Sequence, residues 1–299
     1  MKYQRHVVFT LLTLLFLFYP GDSFYFHIFA YNRNLFVENK TSAKLKPVSF
    51  PYLKYPTYPD VSAQGVYIAD LPTFTPVYEK NAHIQFYPAS TTKIITALVV
   101  NDRFQPDDIL QVSRATVEGQ IMNLVVGERM TAENLLYGIL VHSANDAAFA
   151  FADNVGYDTF ITLMNKKAVD LHMTQSHFQN PPGLDNPLQY TTPFDLALAA
   201  RELLNNKYLK RFVATKEITI SDVDFDHFHH LVNVNKLLGE IHGIGGLKTG
   251  YTEQAGENLV SFYKKNGHEY IIVIMKSEDR FSDTTAIVNW INESVSHYP

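Results

Sequence analysis

Apolar residues gather first at the amino terminus. Residues 7–18 are apolar except for Thr10 and Thr13, with Lys2 and Arg5 before them and Tyr19-Pro20-Gly21 after. A positive head followed by an apolar middle is the pattern of an export signal. The run is short beside the roughly 20 apolar residues that a spanning helix needs. Yet residues 24–30 are again mostly apolar, and no small-x-small cleavage site follows. Residues 1–30 therefore read as a signal peptide or an uncleaved membrane anchor, both open. Residues 31–60 turn polar and then rich in Pro and Tyr, with Pro47, Pro51, Pro56 and Pro59. Proline favours extended backbone and removes donors, so this stretch predicts a tether. The globular domain is expected over 61–299.

Within it, 65–70 is a short apolar strand. Pro88-Ala89-Ser90 supplies a stop and an N-cap, and the apolar run 94–100 then predicts a helix beginning at Ser90. A second helix fits 131–142, with Thr131 as N-cap and the pairs Leu135/Ile139 and Leu136/Leu140 on one face. Further helices fit 145–155 and 192–204. Strands over 258–263 and 270–275 flank Lys265-Asn266-Gly267, the signature of a hairpin, and a last helix fits 283–291. One early strand, a helical middle and late strands predict an α+β fold. Its antiparallel sheet draws on both ends of the sequence, with flanking helices and a helical subdomain.

Composition narrows the function. Hydrophobic residues at 46% and charged residues at 18% suit an ordinary folded chain. A net charge of -5 without any Lys/Arg-rich block argues against nucleic acid as partner. The absence of cysteine removes thiol catalysis, thiolate metal sites and disulfides together.

Three short motifs carry candidate chemistry. In Ser90-Thr91-Thr92-Lys93, a serine at a helix start lies one turn from a lysine on the same face. A desolvated lysine can take the hydroxyl proton as the neutral amine. The same spacing recurs at Ser261-Phe262-Tyr263-Lys264, but in a strand pattern that sends Ser261 and Lys264 to opposite faces. Ser143-Ala144-Asn145 lies between two predicted helices, where Ser143 could relay a proton and Asn145 hold a substrate amide, or either could simply cap the next helix. Lys248-Thr249-Gly250, after Gly245-Gly246, offers at the start of a strand a cation, a donor and a close backbone approach for an extended peptide, or else a hairpin turn with a solvated lysine.

The order and spacing of the three motifs resemble the serine β-lactamases and penicillin-binding proteins. The chain most resembles the low-molecular-mass penicillin-binding proteins that are serine-type D-Ala-D-Ala carboxypeptidases. The resemblance covers about 61–290. It includes Tyr87-Pro88-Ala89, Asp146-Ala147-Ala148, Asn180-Pro181-Pro182-Gly183-Leu184-Asp185, Asn233-Val234-Asn235-Lys236 and Gly246-Leu247-Lys248-Thr249-Gly250-Tyr251-Thr252. It implies that Ser90 is the nucleophile, Lys93 its base, and Ser143 and Lys248 relay neighbours. It further implies an oxyanion hole from the backbone N–H groups of Ser90 and Tyr251. Thr249 and Arg280 are implied to receive the terminal carboxylate, with Asn145 and Gly250 lining the substrate. The implied substrate is a peptidoglycan stem peptide ending in D-Ala-D-Ala, with β-lactams as covalent inhibitors and no cofactor or metal. Two positions depart from the family, Tyr251 where a histidine is frequent and Gly245 where an aspartate is. These departures imply altered substrate preference rather than altered acyl chemistry.

Rival readings stay open. A DD-endopeptidase acting on cross-links would use the same scaffold. A class A β-lactamase needs a glutamate-held water between the second and third motifs, and Glu202, Glu217 and Glu240 open no Glu-x-x-x-Asn loop. A non-catalytic wall-peptide binder would be marked by loss of Ser90, Lys93 or Lys248, all of which are present. Asp226-His227-Phe228-His229-His230 invites a zinc reading, set against a polar surface strand because no third ligand cluster is evident. Trp290, the single tryptophan, is expected in the core under the last helix.

Overall fold

The computed structural model describes residues 2–18, 49–116 and 118–298. It divides into two units, Met1–Pro47 and Val48–Pro299. The first contains helix α1 (Lys2–Phe18), whose 17 residues span about 26 Å against a hydrocarbon core of about 30 Å. Among the described residues, no helix is long and apolar enough to cross a membrane. The apolar stretch 24–30 and residues 31–48 of the expected tether lie outside the described residues.

The second unit begins before Val61. Strand β1 (Pro51–Leu53) pairs with the last strand, β11 (Val295–His297), so the two ends of the unit close on each other. Beyond β1, the Thr57 carbonyl accepts from the Trp290 indole at 3.0 Å. Residues 51–60 are therefore fastened to the domain, because strand pairing and a buried indole give their backbone partners that a tether lacks.

The central sheet has five antiparallel strands in the order β3-β2-β10-β9-β8. These are β2 (Gly65–Asp70), β3 (Pro76–Lys80), β8 (Ile244–Thr252), β9 (Gly256–Lys265) and β10 (His268–Ser277). Side chains alternate between two cores. Tyr67, Ala69, Ile271, Val273 and Met275 enter the larger core, and Val66, Ile68, Tyr270, Ile272 and Ile274 the smaller. Both faces are covered, which is why β2 and β10 read as continuous apolar runs rather than alternating ones. Helix α8 (Arg280–Ser294) covers the smaller core, with Trp290 buried there. The turn joining β9 to β10 holds Asn266 and Gly267 at φ +49° and +85°, as an Asn-Gly hairpin requires.

The helical subdomain covers the other face. It comprises α2 (Lys93–Arg103), α3 (Ala132–Leu140), α4 (Asn145–Val155), α5 (Tyr157–Asp170), α6 (Pro193–Asn205) and α7 (Lys207–Val213). Helix α2 buries every residue from Lys93 to Val100, the mark of a central helix apolar all round. Thr131 and Thr192 cap α3 and α6 through their side-chain oxygens, as the capping rule predicts. Two small hairpins complete the lobe, β4 (Ile109–Gln111) with β5 (Arg129–Thr131) and β6 (Glu217–Ser221) with β7 (Phe228–Val232).

Candidate active site

Ser90 does not cap a helix. It lies inside a one-turn 3-10 helix, Ala89–Thr92, that feeds directly into α2. Ala89 is left-handed at φ +47°, a conformation that costs a non-glycine residue about 1 kcal/mol. Its surroundings hold it there. The Asn258 side chain donates to the carbonyls of Tyr87 (2.9 Å) and Pro88 (3.1 Å) and accepts from the Lys276 N–H (2.8 Å). On the other side, Gly183 sits so close that a β-carbon would come within 1.9 Å of the Ala89 carbonyl oxygen. With its hydroxyl free of any capping bond, Ser90 Oγ lies 3.0 Å from Lys93 Nζ.

Lys93 is fully buried. Its nitrogen has three neighbours, Ser90 Oγ, Asn145 Oδ1 at 2.6 Å and the Pro182 carbonyl at 2.8 Å. Two of these can only accept. A neutral amine has two N–H groups for those two acceptors, and its lone pair is then left for the Ser90 O–H. Burial pushes Lys93 well below the usual lysine value, and the positive Lys248 pushes in the same direction against the pull of Asp146.

Asn145, the first residue of α4, has both ends of its amide engaged. Its Nδ2 donates to the Glu118 carbonyl at 2.8 Å, which leaves one N–H free. The neighbouring Asp146 carboxylate is buried and accepts from the backbone N–H groups of Met122 and Leu124. The chain around Glu118 to Glu128 thus braces Asn145. This segment is itself anchored by His229, which contacts the Met122 carbonyl at 2.9 Å and Glu128 at 2.6 Å. Ser143, in the turn before α4, is left-handed at φ +64°. Its hydroxyl accepts from Lys248 Nζ at 2.8 Å.

Lys248 comes from the middle of β8, not from a strand start or a turn. It is buried, and its ammonium also donates to the Thr249 carbonyl at 3.0 Å. Burial, reinforced by nearby Arg280, brings Lys248 down to about 7. Edge strand β8 packs against the turn bearing Ser90 at Gly250, where a β-carbon would lie 3.0 Å from both the Ser90 nitrogen and the Pro88 carbonyl. Thr249 is buried and the Tyr251 side chain is exposed. Arg280 opens α8 and donates from Nη1 to the Gly250 carbonyl at 2.8 Å, which joins it to this strand.

All nine residues expected at the site thus converge around β8, the Ser90 turn and the start of α4. The second Ser-x-x-Lys does not. Ser261 is buried within β9, while the Lys264 side chain is exposed and lies near Glu269. The imidazoles of the His-rich block also scatter, His229 inward to Glu128, His227 toward Asp222 and His230 toward Thr219. Asn258, Asp146 and the Pro182 carbonyl support the site without having been singled out for it. Asp146 and Pro182 fall within blocks of the family resemblance, and Asn258 carries no such signal.

The fold is that of the DD-peptidases and penicillin-binding proteins. It is similar to the crystal structure of the Streptomyces K15 DD-transpeptidase, with TM-score 0.73 and 30% identity over 78% of this chain and 98% of that one. It is also similar to a D-alanyl-D-alanine carboxypeptidase from Mycobacterium tuberculosis H37Rv, with TM-score 0.74 and 26% identity over 82% and 98% of the two chains. The chain belongs to the D-alanyl-D-alanine carboxypeptidase family Peptidase S11, whose model matches residues 53–279. Among curated relatives, the D-alanyl-D-alanine carboxypeptidase of Streptomyces sp. strain K15 is 31% identical over 78% of this chain and 88% of its own length. DacF of Bacillus subtilis, also a D-alanyl-D-alanine carboxypeptidase, is 30% identical over 79% of this chain, and the match spans 63% of DacF.

Proposed function

We propose that this protein is a serine D-Ala-D-Ala carboxypeptidase that removes the terminal D-alanine of peptidoglycan stem peptides through an acyl-enzyme on Ser90. The observation that carries the reading is the Lys93 nitrogen, fully buried, depressed in pKa and 3.0 Å from the Ser90 hydroxyl. In this reading neutral Lys93 takes the hydroxyl proton as Ser90 attacks the penultimate D-alanine carbonyl. The backbone N–H groups of Ser90 and Tyr251 hold the oxyanion, a contribution worth about 100- to 1,000-fold in rate per donor. Lys248 and Ser143, already in contact, carry the proton on to the leaving D-alanine nitrogen. The free N–H of Asn145 faces the substrate backbone, and Gly250 lets the peptide lie close to β8. Thr249 and Arg280 receive the terminal carboxylate, for which a guanidinium fork is well shaped.

β-Lactams are expected to acylate Ser90 in the same way. The apolar amino terminus and a wall-peptide substrate together support export to the extracytoplasmic face, with α1 as a leader or attachment to the membrane.

The test is incubation with a peptide ending in D-Ala-D-Ala, followed by mass analysis of both peptide and protein. Release of one D-alanine with a transient adduct on Ser90 is the expected result. An intact peptide in the presence of a folded protein that penicillin labels would overturn the activity. Loss of label as well would overturn the nucleophile.

A further inference from the structure

Asp70, at the end of β2, carries a buried carboxylate without a lysine or arginine partner among the described ion pairs. Its Oδ2 accepts from the backbone N–H and hydroxyl of Thr73, at 3.0 and 2.6 Å. Its Oδ1 faces Nε2 of His297 at 3.1 Å. Burying a carboxylate is expensive unless a cation answers it. Nearby Lys265 does not answer it, because its ammonium donates to the carbonyls of Ile291, Asn292 and Val295. A third group points at the same place. The His268 ring stacks on that of His297 with centroids 3.5 Å apart and planes 8° from parallel. Among the described residues the His268 side chain makes no hydrogen bond, so its ring is held by stacking alone.

We propose that Asp70, His268 and His297 form a binding site for a divalent transition-metal cation of the zinc class. Among the described residues, this is where three potential ligand atoms of His and Asp come together, all within 4.8 Å of one another. Two imidazoles and one carboxylate are a donor set that zinc takes readily. Ligand atoms about 2.0–2.1 Å from a tetrahedral zinc lie about 3.3 Å apart, so the Asp70–His297 pair already has this spacing. His268 has to close by at most about 1.5 Å, a movement its unbonded ring can make by rotating out of the stack. The outer partners suit the role. Thr73 fixes the carboxylate, and the Tyr270 hydroxyl lies 3.5 Å from the other nitrogen of His297.

The ion would act on the fold and not on the peptide. His268 is eight residues along β10 from Lys276, whose backbone helps hold the Ser90 turn, a distance of about 25 Å along a strand. Bound metal would staple the last strand, and through it β1, to the centre of the sheet.

The experiment is a zinc titration of the tag-free full-length protein, read by calorimetry and by Tm. The variants are His268→Gln, at a half-exposed and unbonded position, and a control with both His227→Gln and His230→Gln. Expected for the wild type is saturable binding of one equivalent, with Tm rising about 5 °C or more at a hundredfold excess over Kd. His268→Gln should weaken binding tenfold or more while keeping the metal-free Tm, and the control should bind as the wild type does. Cobalt should give a visible d–d band in the wild type that His268→Gln loses. Absence of saturable binding, unchanged binding in His268→Gln, or loss of binding in the control alone would each overturn the site.

Discussion

The side-chain oxygen of Asn145 lies 2.6 Å from the Lys93 nitrogen, nearer than the Ser90 hydroxyl at 3.0 Å. In the proposed mechanism Asn145 therefore bears on the state of the base as well as on the substrate. A neutral amide accepts from the amine without favouring its charged form strongly, whereas a carboxylate in the same place would. Asn145→Asp should hold Lys93 as the ammonium. In the proposed mechanism activity depends on the neutral amine, so its rise with pH should move upward by about 1–3 units. Acylation near neutrality should fall at least about tenfold. The measurement is the rate of labelling by a fluorescent penicillin as a function of pH, and an unmoved profile would count against Lys93 as the base.

Ser90→Ala should abolish both penicillin labelling and D-alanine release. The hydroxyl has one side-chain partner, Lys93, so stability should change by about 1 kcal/mol or less. Denaturant unfolding alongside the labelling assay separates a lost nucleophile from a lost fold.

The double variant Ser261→Ala, Lys264→Ala should retain activity near that of wild type. Ser261 Oγ is buried without a hydrogen-bond partner, so its removal should leave stability unchanged or raise it by up to about 1 kcal/mol. Turnover as low as in Ser90→Ala, in a folded protein, would mean that the second Ser-x-x-Lys had been misjudged.

The two buried lysines give the pH dependence its sign. Burial and the neighbouring Lys248 hold Lys93 well below its ordinary value, and burial with nearby Arg280 brings Lys248 down to about 7. Above that point the positive charge beside Thr249 is lost. KM for a peptide ending in a carboxylate should then rise with pH through about 7, while KM for the matching C-terminal amide should stay level. Because the lysines interact, the profile reports the pair rather than either alone.

Arg280 supplies the remaining charge at this end of the site. Arg280→Gln removes it while keeping a donor for the Gly250 carbonyl. Wild type should discriminate strongly in kcat/KM between acid and amide peptides, and the variant should do so at least tenfold less. Equal discrimination in both would assign the carboxylate to Lys248 and Thr249 alone.

Much of this architecture is legible in the sequence wherever a local rule governs it. Thr131 and Thr192 cap helices, Asn266-Gly267 turns a hairpin, and residues 145–155 match α4 to the residue because each signal acts over one or two turns. The Ser90 turn reads as an α-helical N-cap in sequence because its geometry is set from far away, by Asn258 and Gly183 pressing on Ala89. Helix α5 leaves little trace in the sequence, since its buried positions Phe160, Met164 and Ala168 form a narrow stripe among many polar residues. With glycines before it, Lys248 reads in sequence as the start of a strand or as a turn, whereas it lies in mid-strand. In the fold they let β8 pass close to its neighbours without ending the strand. The three motifs could be named from sequence, but the Asn145–Lys93 contact could not, because no pattern encodes which of two possible partners a buried lysine will choose.

The strand order also has a consequence for how the chain is made. Tyr67 pairs with Val273, and the strands between β2 and β10 in sequence contribute no neighbour to β2 except β3. Its central sheet cannot close until almost the whole chain has been synthesised. Pairing at such long range is slow, because the entropy of a very large loop is lost before any contact repays it. A nascent chain in that condition remains loose while its helical middle is still forming. Under the export proposed above, this delay keeps the polypeptide threadable until it has crossed the membrane.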